Sequence, residues 1–334
     1  MQHCLCVSLL VFALVTSAGA SDRFGPRDFG DEPPRTAIVA AYAPEIRAID
    51  AALGAHPEAE ITEEVRYRGV RYQLGHYRGE PIVIFTTGVS VSNAAMTVQM
   101  ALDYFPISRV VMMGIAGGVN PVYVPGDIAV PERWYFHDES VYANPDPEAP
   151  GEYILADYYE ATLERHLARL EDDPHAPRYE NFGFIHPDEV AVVKDGWDRP
   201  REMPYFAATP SLIAAARRAV DRLGEIRMPS GRPITVSVGG NGVTGSVFLD
   251  HAAYREWTRK VFAAEVTEME SAAVGQVCFV NEVDWVIVRS VSDLAGGQAG
   301  KNEENVYDAI ASGTGATLLL ALLDEIVEAT AGVD

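Results

Sequence analysis

The sequence predicts one α/β domain, a mixed central β-sheet flanked by helices on both faces, with a single insertion at 140–208. Three observations predict it. Short apolar runs alternate with helical periodicity from Thr36 to Val327. Several of those runs end in glycine, at Gly88, at Gly114 to Gly118 and at Gly239 to Gly242. Residues 140–208 interrupt the alternation, being charged, Pro-rich and aromatic over a length no ordinary loop reaches.

In order along the chain, Thr36–Ala41 is a short apolar strand. A helix follows from Glu45, with Ile46, Ile49 and Leu53 on one face. Val65–Tyr77 alternates around Arg-Gly and reads as a hairpin. Pro81–Thr87 is a buried-type strand, Asn93–Phe105 a helix with Ala94, Ala95, Val98, Ala101 and Leu102 in register. Arg109–Met113 is a strand running into the 114–118 glycine segment, and Asp127–Trp134 another strand. Within the insertion, one helix lies around Tyr158–Leu170. Ser211–Leu223 is helical, Ile234–Val238 a strand, Glu270–Val280 an apolar helix, Trp285–Val291 a strand and Gly315–Val327 a closing helix.

Composition narrows the function classes. The 334 residues carry 48 Asp+Glu against 26 Lys+Arg, a formal charge of -22, which excludes a basic footprint for nucleic acid and docking on anionic lipid. Hydrophobic residues make up 48% of the chain, enough for a sizeable core. Lysine is confined to Lys194, Lys260 and Lys301. An acidic, Lys-poor surface suits high salt, and a high-GC genome gives the same bias.

The N-terminus predicts export. Residues 7–15 form an apolar run of signal-peptide length, followed by the Ala18-Gly19-Ala20 cleavage pattern, so residues 1–20 are read as a signal peptide and the mature protein as periplasmic or secreted. The n-region lacks Lys and Arg, which also fits a misassigned start or a buried N-terminal strand. Residues 21–35 read as a polar, Pro/Gly-rich linker and 36–330 as the domain. Cleavage would leave Cys278 as the one cysteine, precluding an intramolecular disulfide. No later segment has eighteen uninterrupted apolar residues, so no membrane contact is expected after cleavage.

Three acids sit where backbone meets a prospective cavity. Glu45 opens the first helix, Glu270 opens the helix after Met269, and Asp293 ends the strand that follows Trp285. Ligands of open α/β sheets bind outside the carboxyl ends of strands. Each acid also has a structural reason to stand there: the macrodipole for Glu45 and Glu270, helix capping for Ser292-Asp293. The 114–118 glycines could equally form a tight turn. Glu270 shares helical spacing with Ala273, Val274, Val277 and Cys278, which puts a carboxylate on an apolar stripe and calls for a partner such as Arg289.

The segments Glu268-Met269-Glu270-Ser271-Ala272-Ala273 and Val288-Arg289-Ser290-Val291-Ser292-Asp293 resemble the signature of the nucleoside phosphorylase superfamily. Ala41 to Ile46, Thr87 to Ala95, Gly114 to Gly118 and Pro125 to Ile128 resemble, in order, the junctions of its 5′-methylthioadenosine/S-adenosylhomocysteine nucleosidases. Val247-Phe248-Leu249-Asp250, Ala252 to Arg255 and Ser292 to Gly297 resemble the secreted bark-storage-protein branch. The resemblance implies a nucleoside phosphorylase/hydrolase-type fold and a homodimer or higher homo-oligomer.

It also implies roles. Asp293 would be the acid that protonates a leaving purine, which requires a pKa well above the usual value of about 4. Ser292 would orient it. Glu270 would bind ribose hydroxyls over Met269, Glu45 would position and deprotonate the attacking water, and Arg289 would hold Glu270 and that water. Gly88, Val89, Ile115 and Gly117 would contact substrate, with Ile115 standing where hydrolytic relatives often carry a hydroxyl. The base-stacking aromatic is expected near Val243 or Thr244, neither of which can stack, so Tyr205, Phe206 or Trp197 of the insertion are candidate replacements. Trp134, Tyr135 and Phe136 line either a subunit interface or the core.

The reading is therefore an exported purine-nucleoside N-ribosyl hydrolase. Phosphate is the alternative nucleophile, and the hydroxyls and amides of Thr86 to Ser90 lack a nearby Arg to neutralise it. A non-catalytic secreted nucleoside-binding or storage protein is the third reading. No cofactor is implied, and no His or Cys spacing predicts a metal site.

Overall fold

A computed structural model describes residues 30–173 and 176–331. Residues 1–20, read above as a signal peptide, and residues 21–29 of the expected linker lie outside the described residues. The chain runs β1 (Arg35–Ala40), α1 (Ala43–Ala55), β2 (Ala59–Tyr67), β3 (Val70–Tyr77), β4 (Glu80–Thr86), α2 (Val91–Tyr104), β5 (Ile107–Gly118), β6 (Ile128–Val130) and β7 (Arg133–Phe136). Next come β8 (Ser140–Tyr142), β9 (Asn144–Pro145), β10 (Tyr153–Ile154), α3 (Tyr159–Asp172), β11 (Ile185–Pro187), β12 (Val190–Val192), β13 (Arg201–Met203) and β14 (Phe206–Ala207). The chain closes with α4 (Pro210–Leu223), β15 (Val236–Val238), β16 (Asn241–Thr244), α5 (Ala252–Phe262), β17 (Ala264–Glu268), α6 (Ser271–Asn281), β18 (Asp284–Asp293) and α7 (Glu304–Ala331).

The main sheet is mixed, with the order β14-β7-β16-β17-β5-β1-β4-β3-β2, and β18 and β6 joined beside β5. β5 is its axis, parallel to β1 on one edge and to β18 on the other. β1 stops pairing with β5 at Met112, and β17 takes over that edge, antiparallel, at Gly117 and Gly118. Parallel β1, β4, β5 and β18 thus deliver their carboxyl ends to one place, where β17 also ends.

Local chemistry accounts for the elements. Arg68 (φ 49°) and Gly69 (φ 88°) make the two-residue hairpin turn between β2 and β3, which needs positive φ at both positions. α1 buries Glu45, Ile49 and Leu53, one residue per turn on a single face. In α7, Leu318, Leu319, Leu322, Leu323 and Ile326 are buried among β18, β5, α1 and α4. By length and composition this helix could cross a membrane, but 67% of its apolar window is buried inside the fold.

Several expectations are corrected. The 114–118 glycines are not a turn, and the strand does not stop before them at Met113: β5 runs through them and ends at Gly118. A Cβ on Gly114 would lie 2.2 Å from Arg289 Nη1 and 2.7 Å from Glu45 Oε1, so glycine there makes room for the side chains behind the strand. The segment from Asp127 is two strands, separated at Pro131 and Glu132. The 239–242 glycine segment, read as the end of a strand, leads into another: Asn241–Thr244 is the buried strand β16 between β7 and β17. α5 and β17 had no counterpart in the sequence reading. α7 begins at Glu304, well before Gly315, because its first turns carry too few apolar residues to show a period.

Residues 140–208 form α3 and three two-stranded ribbons, and β14 pairs with β7 at the sheet edge. Trp134 and Tyr135 are fully buried within this chain, and Phe136 packs partly buried against the core.

Candidate active site

Glu45 is fixed by the geometry of the β1–α1 junction. It occupies the first turn of α1 and folds back, so that Oε2 accepts the amides of Ala41 (2.7 Å) and Tyr42 (3.3 Å). Its Oε1 accepts the Ile115 amide of β5 at 2.8 Å. The carboxyl is 1% exposed. Burial pushes it up to about 7, against the opposing pull of Arg289 and the three amides.

Glu270 is the N-cap residue of α6 (φ −135°, ψ −36°), so it precedes the apolar stripe instead of lying along it. Its Oε1 accepts the Ser90 amide at 2.8 Å, and its Oε2 lies 3.3 Å from Arg289 Nη2. Burial, joined by Glu268 and Glu45, raises this carboxyl to about 7, while Arg289 and the Ser90 amide oppose the rise.

Arg289, 1% exposed, projects from β18 beneath both acids. Its nearest carboxylate is Glu268 of β17, with Glu270 next and Glu45 Oε1 at 4.0 Å. Ser271 Oγ accepts from Arg289 Nε (3.1 Å) and Nη2 (2.9 Å), and the Ile115 carbonyl accepts from Nη1 (3.2 Å). Burial works to lower the guanidinium, but the three carboxylates outweigh it and hold Arg289 charged.

Asp293, 7% exposed, stands at the end of β18. Ser292 Oγ donates to its Oδ2 at 2.9 Å, while the Ala295 amide (2.8 Å) and Asn302 Nδ2 (3.3 Å) donate to Oδ1. Gly117 faces it, and a Cβ there would sit 3.1 Å from Asp293 Oδ1.

These groups line a cavity of about 180 Å³. Glu45, Glu268, Glu270, Ser292, Asp293 and Glu304 supply its polar wall, and Tyr42, Val89, Ile115, Phe248 and Met269 much of its apolar wall. Burial and the neighbouring Asp308 and Asp293 push the Glu304 carboxyl up.

Of the residues singled out in the sequence, Glu45, Glu270, Asp293, Val89, Ile115, Gly117, Met269 and Ser292 border this cavity. Arg289 lies directly behind the wall. Gly88 (φ 82°) shapes the β4–α2 turn without lining the cavity. Val243 and Thr244 are displaced from the expectation: both are buried in β16, and Thr244 Oγ1 serves Glu268 and the Ala272 amide. Tyr205 packs on Tyr135, Phe206 on Phe279, and Trp197 on Phe279, so none of the three stands in the cavity wall.

Besides Tyr42, the aromatic that lines the cavity is Phe248, on the loop between β16 and α5, 57% exposed. It stood in the quoted Val247 to Asp250 segment but could be placed only once β16 was known to end at Thr244. Glu268 was also missed as a participant. Its signal was a second acid two residues before Glu270.

The family model of the phosphorylase superfamily matches residues 35–328. A 5′-methylthioadenosine/S-adenosylhomocysteine nucleosidase of Marinomonas sp. (strain MWYL1) is 25% identical over 237 residues, 71% of this chain and 78% of its own length. The nucleosidase of that name from Geobacillus kaustophilus is 25% identical over 290 residues, covering 86% and 96%. Among solved structures, futalosine hydrolase of Helicobacter pylori superposes with a TM-score of 0.62 at 19% identity, covering 87% of this chain and 98% of its own. The same organism's nucleosidase, bound to butyl-thio-DADMe-Immucillin-A, gives a TM-score of 0.62 at 19% identity, covering 88% and 99%.

Proposed function

Because this chain belongs to the phosphorylase superfamily, and Glu45, Glu270 and Asp293 line one cavity without a lining cation, we propose that it is an exported purine-nucleoside N-ribosyl hydrolase. At the coarser level it is a nucleosidase-like enzyme, in keeping with relatives that bear that name.

In this reading Glu45 is the general base. A carboxyl raised to about 7 and fixed by three amides is matched to taking a proton from water near neutrality. The water oxygen bonds to the sugar C1′ as the bond from C1′ to the purine nitrogen breaks. The proton of the water passes to Glu45, and Asp293 gives a proton to the purine so that it leaves neutral. Glu270 accepts bonds from ribose hydroxyls and offsets the positive charge that develops on the ring. Phe248 supplies the face on which the base stacks. No metal or cofactor enters this scheme.

The observation that carries water over phosphate is the charge of the wall. Glu45, Glu268, Glu270, Asp293 and Glu304 border the cavity, and Arg289 lies behind them already facing three carboxylates. A phosphate would enter against that charge. Ile115 favours the non-catalytic binding reading, since its side chain cannot hold a water. Its backbone amide instead holds Glu45.

Export rests on the apolar run at 7–15 and the Ala18-Gly19-Ala20 pattern. Val89 (44%), Val247 (45%) and Phe248 (57%) are exposed at the cavity mouth, which supports a second copy of the chain covering it as a homodimer.

The test is incubation with a panel of purine nucleosides, with and without phosphate, followed by chromatography. Free base and ribose without phosphate are expected. Ribose 1-phosphate formed only with phosphate establishes a phosphorylase. Saturable binding in calorimetry with no base released establishes a binding protein.

A further inference from the structure

We propose that Glu268 is the positioning residue of this site: it clamps Arg289 and the first turn of α6, and so governs how much of the guanidinium charge reaches Glu270 and Glu45. The inference rests on reading the cavity as the active site only for its kinetic consequence.

Glu268 is the last residue of β17 and 7% exposed. Its Oε1 accepts the Thr244 hydroxyl and, at 3.1 Å, the Ser271 amide. Its Oε2 accepts the Glu270 and Ser271 amides, both at 2.9 Å, and Arg289 Nη2. Donors from β16, α6 and β18 therefore fix one carboxylate. Two of them are free amides of the α6 N-terminus, one belonging to Glu270 itself. Glu268 thus sets where Glu270 begins and how Arg289 points.

The surrounding charges make this position consequential. Arg289 from β18 faces Glu268, Glu270 at the start of α6 and Glu45 from α1. Met112 of β5 reaches Arg289 through sulfur at 3.7 Å. His137, just past β7, is pushed down by burial, against the pull of Asp138 and Glu268. One guanidinium is shared among three buried carboxylates, and the nearest takes the largest share. What remains is too little to offset burial at Glu45 and Glu270, so both carboxyls sit at about 7. Neutralising Glu268 removes a like charge from Glu270 and returns Arg289 to the other two acids. Both effects favour the ionised carboxylate.

The variant is Glu268→Gln, with the Glu45 and Glu270 carboxyl carbons followed by ¹³C NMR titration in the unliganded protein. Both are expected to titrate lower by about one pH unit, and the acid limb of kcat/KM to move the same way. A residue that only held the helix would lower kcat at every pH and leave the titrations in place, and that result overturns the proposal. Glu268→Asp keeps the charge but withdraws it from Arg289, so a smaller shift in the same direction is expected. If Glu268→Gln does not fold, an unmoved titration in Glu268→Asp is the overturning result. The NMR reading stands whether or not the protein cleaves nucleosides, so failure of the nucleosidase reading is seen separately, in the absence of base release.

Discussion

Within residues 140–208, the Glu189 carboxylate is fully buried and meets two arginines of α3, Arg165 at 3.3 Å and Arg169 closer still. At the cavity the ratio is inverted, with Arg289 alone against Glu268, Glu270 and Glu45. Arg165 and Arg169 keep 39% and 28% of their side chains in solvent, whereas Arg289 keeps 1%. The first cluster ties α3 to the link between β11 and β12, with two arginines to one carboxylate. The second withholds compensation from its carboxylates in a water-poor place, which is how a carboxyl becomes able to exchange a proton near neutrality. The two clusters use the same residue types, so charge ratio and access to a cavity separate structure from chemistry.

The contrast can be broken most severely at Asp293. Asp293→Asn keeps the shape and removes the proton, so base release is expected to fall by about 10²–10⁴-fold with an unchanged melting temperature. Undiminished turnover would make Asp293 as structural as Glu189. Glu45→Gln is expected to cost about 10²-fold in kcat, and it carries a stability signature. The folded Glu45 carboxyl lies at about 7 against 4.5 when unperturbed, so between those values the folded state holds more protons than the unfolded chain. Stability therefore falls as pH rises through that window, with Glu270 adding to the slope. Urea unfolding at about pH 5 and about pH 8 should show the wild type weaker at the higher pH, and Glu45→Gln losing less.

Smaller effects sharpen the same contrast. Phe248→Ala removes a stacking face worth about 1–1.5 kcal/mol, so KM for a purine nucleoside should rise roughly tenfold with kcat little changed. Glu189→Gln should leave kcat/KM untouched and lower unfolding free energy by about 1–2 kcal/mol, because its arginines are partly solvated. A loss of activity there would place the Glu189 cluster in the catalytic machinery.

Much of the fold was legible because continuous apolar runs mark β1, β4 and β5, helical periodicity marks α1, α2 and α4, and α6 is apolar throughout. α5 and β17 escaped because the strand is short and the helix, Ala252–Phe262, shows its apolar face only in Trp257, Val261 and Phe262. The glycines of β5 gave a turn signal, and the tertiary need for Arg289 and Asp293 to pass close to the strand overrode it. Glu45, Glu270 and Asp293 were legible by their place at element ends. Phe248 was not, since its position depends on β16 being a strand. Glu268 was hidden because its importance lies in which carboxylate Arg289 chooses, a matter of side-chain distance that no spacing encodes.

The central claim is hydrolysis by an acid-lined pocket, and the direct measurement is the initial rate of purine release as a function of phosphate concentration. A finite rate in phosphate-free buffer, unchanged as phosphate is added, is the expected result. A rate of zero without phosphate that rises in proportion to it would contradict the account.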